Sequence, residues 1–299
     1  MSFGESRGDA ASGSPDGLAV LPPDHPGAHD HLYRRRRAVI AAVGAAYRAG
    51  DPIPDVEYSA EEDEIWRTVS SELAAKHQHR ASGEYLRGAA ALLLPTDRVP
   101  QLREVDDRVG ALTGFHIRPV AGLAPARTFY GALADRTFLS TQYVRHHSAP
   151  YYTPEPDIIH EIIGHANMLA SPILADLYEA AGRASRRAES DDALQFLSRV
   201  FWFTLEFGVV LEDGEMKAYG AGLLSSFGEI DEFTDAQFRA WDLSEMGRQP
   251  YDITRYQPVL YYAPSFEALV SRLGAFFEGF SEASFVEHRG YGAASPIAS

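Results

Sequence analysis

Apolar positions recur along most of this chain with a helical period. Asp30 stands just ahead of Leu32, Ile40, Val43 and Tyr47, which are spaced to line one face. Gly50, Pro52 and Pro54 close that stretch, so a helix from an Asp30 cap to about residue 49 is expected. Ser59 followed by Glu62 is a capping box, and it opens a second helix whose Ile65, Trp66, Val69 and Leu73 share a stripe. Further helical patterns cover 101–113, 157–163, 171–183, 191–209, 234–242 and 265–278. Alternation with a period of two is confined to short pieces, Phe115 to Val120 and Lys217 to Tyr219. The pattern predicts a mainly α fold, a single domain with a few short strands.

The ends read differently. Residues 1–17 are rich in Gly, Ser and Asp with almost nothing to bury, which predicts a disordered tail over 1–23. A flexible tail is expected over 287–299, leaving one domain over 24–286, because no linker, charge block or internal repeat interrupts that span. The run Arg34 to Arg37 reads as a solvated helix face, and His25, His29, His31, His77 and His79 read as solvated surface.

Composition narrows the partners. Lys and Arg number 27 against 42 for Asp and Glu, a formal charge of −15, which disfavours nucleic acid and anionic membrane surfaces. With no cysteine there is no disulfide, thiolate nucleophile or Cys-type zinc site, and His and carboxylates remain as the metal ligands. No secretory signal is visible, and the longest small or apolar run, Gly88 to Leu94, is far below the roughly 20 residues of a membrane span. A cytoplasmic protein is expected. Phosphate-loop, nucleophile-elbow and dinucleotide fingerprints are lacking.

The most informative stretch is Thr153-Pro-Glu-Pro-Asp-Ile-Ile-His160-Glu161-Ile-Ile-Gly164-His165. It approaches the zinc-protease pattern His-Glu-x-x-His, but His160 and His165 are five apart, and an ideal helix at about 100° per residue would point them about 140° apart. A shared metal therefore requires a break or bulge near Gly164. A third ligand would complete the two-His, one-carboxylate triad of non-haem iron. Glu206 stands out among the carboxylates because it lies amid aromatics in Phe201 to Gly208, where an unpaired charge is costly to bury. Spacing alone leaves open the alternative of core histidines bonded to backbone carbonyls, with a Glu reaching solvent.

Several motifs in register then add a resemblance. Arg118-Pro-Val-Ala-Gly-Leu123, Ser140-Thr-Gln-Tyr-Val-Arg-His146, Tyr152 through His165, Trp202-Phe-Thr-Leu-Glu-Phe-Gly208 and Lys217 through Glu229 closely resemble the catalytic domain of the pterin-dependent aromatic amino acid hydroxylases. The likeness extends back to Asp24-His-Pro-Gly27 and covers nearly all of the expected domain.

The resemblance implies that His160, His165 and Glu206 hold Fe(II). It implies that a tetrahydropterin stacks on Phe129 and runs along Gly122, Leu123 and Ala124, with Glu161 nearby. It gives Arg145 to the amino acid carboxylate, Thr153 and Ser225 to further hydrogen bonds, and Pro156, Trp202 and Phe207 to the apolar slot for the ring. The implied activity is a monooxygenase of the phenylalanine 4-monooxygenase kind, converting L-phenylalanine to L-tyrosine with O2. Alternatives are meta-hydroxylation, or tyrosine or tryptophan as substrate; more distant ones are a zinc hydrolase and a non-catalytic helical binding protein. Leu139 and Ala166-Asn167 depart from the family pattern near the pterin and after the second His, and Tyr262 lies in a stretch that varies with substrate. The stretch His288 to Ser299 has no apolar heptad repeat, which predicts a monomer.

Overall fold

The computed structural model describes residue 18, residues 21–253 and residues 255–290. Asp30 caps α1 (His31–Ala46) by accepting from the backbone N–H groups of Leu32 at 2.8 Å and Tyr33 at 2.9 Å. The Ser59–Glu62 capping box opens α2 (Ala60–Arg80), whose Trp66, Val69 and Leu73 are fully buried. There follow α3 (Gly83–Leu92), α4 (Leu102–Thr113), β1 (His116–Pro119), α5 (Ala126–Leu133) and β2 (Thr137–Ser140). β1 and β2 pair in parallel as a sheet of their own.

The central part is a π-helical segment, His160–Ala166, continued by α6 (Asn167–Leu169) and α7 (Pro172–Arg187). Next, α8 (Asp191–Phe201) runs into a second π-helical segment, Trp202–Glu206. Then come β3 (Val209–Glu212), β4 (Glu215–Ala218), α9 (Ala221–Ser225), α10 (Glu229–Glu232), β5 (Gln237–Ala240), α11 (Leu243–Met246), β6 (Val259–Ala263), α12 (Phe266–Gly279) and α13 (Glu282–Gly290). The second sheet has the order β4-β3-β6-β5, antiparallel at β3–β4 and parallel at the other two pairings. α7 packs against both α5 and α12, and its Leu174, Leu177 and Tyr178 belong to the main core. Burying side chains of this size contributes roughly 1.5–3 kcal/mol each. Among the described residues, no helix is long and apolar enough to cross a membrane.

The mainly α architecture is as expected, but several elements differ. The helix expected over 234–242 is a short turn followed by β5, because Gln237 to Ala240 pair with Val259 to Tyr262 and that sheet partner outweighs local periodicity. α3 was not anticipated. It contains Gly88, where a Cβ would lie 2.2 Å from the carbonyl oxygen of Asn167, so glycine serves close packing of α3 on α6. The single helix expected over 191–209 divides into α8 and the second π segment.

The expected domain edges also shift. Leu18 and Leu21, assigned to the N-terminal tail, are buried, Leu18 in a small cluster with Ile40, Ala41, Val56 and Tyr143. α13 runs past the expected boundary at 287 to Gly290. Residues 1–17, 19, 20 and 291–299 of the expected tails lie outside the described residues. Arg37, expected on a solvated face, is buried against Glu155, with its guanidinium over the rings of Tyr33 and Tyr143. His25 and His77, expected at the surface, are buried as well. Burial pushes the His77 imidazole down to about 4, and its Nε2 lies 2.7 Å from the Leu224 carbonyl oxygen. A buried polar group satisfied by a distant carbonyl has no local sequence signature.

Candidate active site

His160 and His165 belong to one π-helical segment, in which the backbone closes from residue i to i+5; the N–H of Asn167 bonds to the Ile162 carbonyl. That closure brings residues five apart onto one side, and the two Nε2 atoms stand 3.0 Å from each other. The distortion demanded by the spacing is thus present. Glu206 ends the second π segment, where the Phe207 N–H bonds back to the Trp202 carbonyl at 2.8 Å. Its carboxylate oxygens lie 3.2 Å from His165 Nε2 and 3.9 Å from His160 Nε2. The three ligand atoms all fall within 4.8 Å of one another. Gly164 lets this meeting happen, since a Cβ there would lie 2.8 Å from the Ala221 carbonyl oxygen of α9.

Electrostatics agree with the geometry. Burial, reinforced by the neighbouring His165, pushes the His160 imidazole down to about 4 and keeps it neutral, the form that ligates a metal. Burial opposes charge on His165 and on Glu206, but their mutual attraction outweighs it, holding the Glu206 carboxyl below its ordinary value and the His165 imidazole above it. Each imidazole has a hydroxyl at its rear nitrogen: Ser225 Oγ is 2.8 Å from His160 Nδ1, and Tyr178 Oη is 2.8 Å from His165 Nδ1. Two neutral-capable imidazoles with supported rear nitrogens, facing one anionic carboxylate, fit a divalent transition metal.

The other residues singled out in the sequence have the following surroundings. Gly122, Leu123 and Ala124 form the loop between β1 and α5, with Leu123 exposed. Phe129 of α5 meets Phe138 and Phe201 edge-on. Glu161 is buried, accepts from the Thr141 N–H and Oγ1 at 3.2 Å each, and is raised by burial to about 7. Trp202 lies at 4.5 Å from Phe207, and its Nε1 bonds to Gln257 Oε1 at 3.2 Å. Thr153 Oγ1 bonds to the Glu155 carbonyl at 2.8 Å, and the Pro156 carbonyl accepts from Thr141 Oγ1 at 3.2 Å.

Arg145 is buried, and its Nε and Nη2 grip the two Asp157 oxygens at 2.9 and 2.8 Å. Asp157 also accepts from the His160 N–H at 3.2 Å, so one carboxylate couples the cation to the cluster. Sequence reasoning missed Asp157 although it stands within the decisive motif; an acid twelve positions from an arginine has no periodic signal. Tyr178 and Tyr251 were missed as well. Tyr251 stacks on Trp202 at 4.2 Å with ring planes 9° apart.

A second group, Asp30, His146 and His147, has metal-like spacing. Its atoms are occupied otherwise. Asp30 caps α1, and His146 Nδ1 accepts from the Ser148 N–H at 3.2 Å, which puts the ring proton on Nε2, 3.3 Å from Asp30 Oδ2.

The model of the biopterin-dependent aromatic amino acid hydroxylases matches residues 18–296. The chain belongs to that family. The hydroxylase is 48% identical over 249 residues to a phenylalanine 3-hydroxylase of Streptomyces coeruleorubidus, covering 83% of this chain and 89% of the relative. It is 46% identical over 255 residues to the tyrosine 3-monooxygenase of Drosophila melanogaster, covering 83% of this chain but 44% of that protein. The crystal structure of Chromobacterium violaceum phenylalanine hydroxylase with iron(III) and oxidized 7,8-dihydrobiopterin superposes with a TM-score of 0.72. That match has 31% identity and covers 83% of this chain and 91% of the other.

Proposed function

We propose that this hydroxylase inserts one oxygen atom of O2 into the ring of L-phenylalanine, with Fe(II) and a tetrahydropterin as cofactor and co-substrate. The carrying observation is the convergence of His160, His165 and Glu206, three ligands that leave the opposite side of a metal open. Bound there, iron and reduced pterin together supply the activation of oxygen. The chain's own residues do the rest. Phe129 and the Gly122–Ala124 backbone hold the pterin, and Glu161 presents a carboxyl that burial keeps ready to carry a proton near neutral pH. Arg145, oriented by Asp157, binds the amino acid carboxylate, with Thr153 and Ser225 beside it. Pro156, Trp202 and Phe207 take the ring and exclude water. Trp202 spends its N–H on Gln257 Oε1, so that donor is not free for a tyrosine hydroxyl, which supports phenylalanine as the substrate.

The ring position has two readings. The family motifs favour the para carbon and L-tyrosine, whereas the 48% identity to a 3-hydroxylase along 89% of that enzyme favours the meta carbon. One experiment tests both. Purified protein is loaded anaerobically with Fe(II) and given tetrahydropterin, O2 and phenylalanine, tyrosine or tryptophan in turn; the products are separated by chromatography. A tyrosine isomer from phenylalanine is expected, and its identity assigns the position. Turnover of tyrosine or tryptophan alone would overturn the substrate. We further propose a monomer, which light scattering would check.

A further inference from the structure

The two imidazoles of the cluster are supported alike, and neither support was read from the motifs, which gave Ser225 to the amino acid instead. At His160 the rear Nδ1 meets Ser225 Oγ, and that hydroxyl can donate onward to the Gly222 carbonyl at 3.3 Å. At His165 the rear Nδ1 meets the hydroxyl of Tyr178, thirteen positions along the chain on α7, which donates onward to Met168 Sδ at 3.4 Å. Tyr178 is wholly buried, and its ring stands edge-on to His165 at 5.9 Å and to Phe201 at 5.6 Å. Phe138 covers the His165 ring from 4.6 Å. Neither ring can rotate without a rearrangement of the core.

Donor and acceptor roles follow from the ligand reading, on which this inference rests. A metal at Nε2 leaves the imidazole proton on Nδ1, so the acceptor there must be an oxygen with a free lone pair. The phenol supplies that lone pair while giving its own proton to sulfur, and every polar atom of the chain Nδ1–H, Oη–H, Sδ is satisfied. We propose that Tyr178 is the positioning residue of His165, holding its Nε2 toward the metal through the Nδ1–H to Oη hydrogen bond.

The test uses the full chain, stripped of metal and titrated with Co(II) and Fe(II). Tyr178→Phe removes the hydroxyl and keeps the ring; metal affinity should fall about 10–100-fold, with an altered Co(II) visible spectrum. Tyr219→Phe is the control. Tyr219 is also wholly buried, and its hydroxyl has no hydrogen-bond partner among the described residues, so its loss should leave affinity and spectrum unchanged. A Tyr178→Phe protein with wild-type affinity and spectrum would overturn the proposal. Failure of the wild-type protein to bind either ion would instead overturn the ligand reading, a result distinguishable at once. If Tyr178→Phe does not fold, the Zn(II)-loaded wild type decides by NMR. A slowly exchanging Nδ1 proton on His165 with a cross-peak to Tyr178 supports the assignment, and a fast-exchanging one refutes it.

Discussion

The proposed metal-facing half and the proposed substrate-facing half of this site are built from different material. His160, His165 and Glu206 sit on helical backbone, in segments closed by i to i+5 bonds, and both imidazoles are hydrogen-bonded at the rear. The proposed substrate and pterin side is mixed: Phe129, Trp202 and Ser225 sit on helical backbone, whereas Gly122 to Ala124, Arg145, Thr153 and Pro156 come from loops. Leu123 and Tyr251 are exposed large side chains, as are Tyr151 and Tyr152 on the segment that leads into the histidine motif. Tyr151 is held mainly by stacking on Phe227 at 3.9 Å and by a hydrogen bond to Glu72 at 3.0 Å. The difference teaches a division of labour. Ligand atoms must be held to a fraction of an ångström, which packed helices provide, whereas a slot that admits and releases an amino acid needs segments of low local stability.

The largest expected effect breaks the rigid half. Glu206→Ala removes the anionic ligand, so retained iron and turnover should each fall at least about 100-fold. Circular dichroism should stay close to wild type, because the Glu206 carboxylate pairs with the two histidines of the cluster and not with the apolar core. Full iron content in that variant would sink the ligand assignment.

Arg145→Lys probes the seam between the halves. Lysine keeps the charge but cannot hold Asp157 and a substrate carboxylate with one planar fork, so the KM for amino acid should rise about 10–100-fold while iron content holds. Unchanged kinetics would make Arg145 a structural partner of Asp157 only.

Gly164→Ala asks how closely the π segment must approach α9. The new methyl would press on the Ala221 carbonyl oxygen, and the loss should be about 1–3 kcal/mol, read by denaturant titration. No change would show that the two backbones separate freely.

Glu229 lies under the loop side, where it accepts from the Gln257 N–H at 2.6 Å, and burial raises its carboxyl to about 7 from 4.5. The folded state therefore keeps a proton that the unfolded chain has released between those values. Its stabilising contribution is complete below 4.5 and is lost as pH rises toward 7. Glu229→Gln stays neutral throughout and should exceed wild type by about 1–2 kcal/mol at pH 8, while matching it near pH 4. A constant difference across pH would refute the shift.

The elements legible in advance were those with strong local signals. The Asp30 cap, the Ser59–Glu62 capping box and the stripes of α2 and α12 appear where expected, to within a few residues. The strand β5 was hidden because its hydrogen bonds go to β6, some twenty positions away in sequence. α3 was hidden by Gly83 and Gly88, which weaken a helix locally, and Gly88 serves close packing on α6.

Read by itself, the sequence determined the residue types and the order of the motifs: two histidines five apart, a carboxylate in an aromatic run, and a spacing that an ordinary helix cannot reconcile with one metal. Those are local facts, set by composition and by the fixed rotation per residue of a helix. The tertiary structure alone decided the rest. It chose the π closure over a helix end, set Asp157 against Arg145, and brought Tyr178 to the back of His165. Each of those is a contact between groups with no shared periodicity, selected because buried polar atoms must find partners wherever packing brings them together.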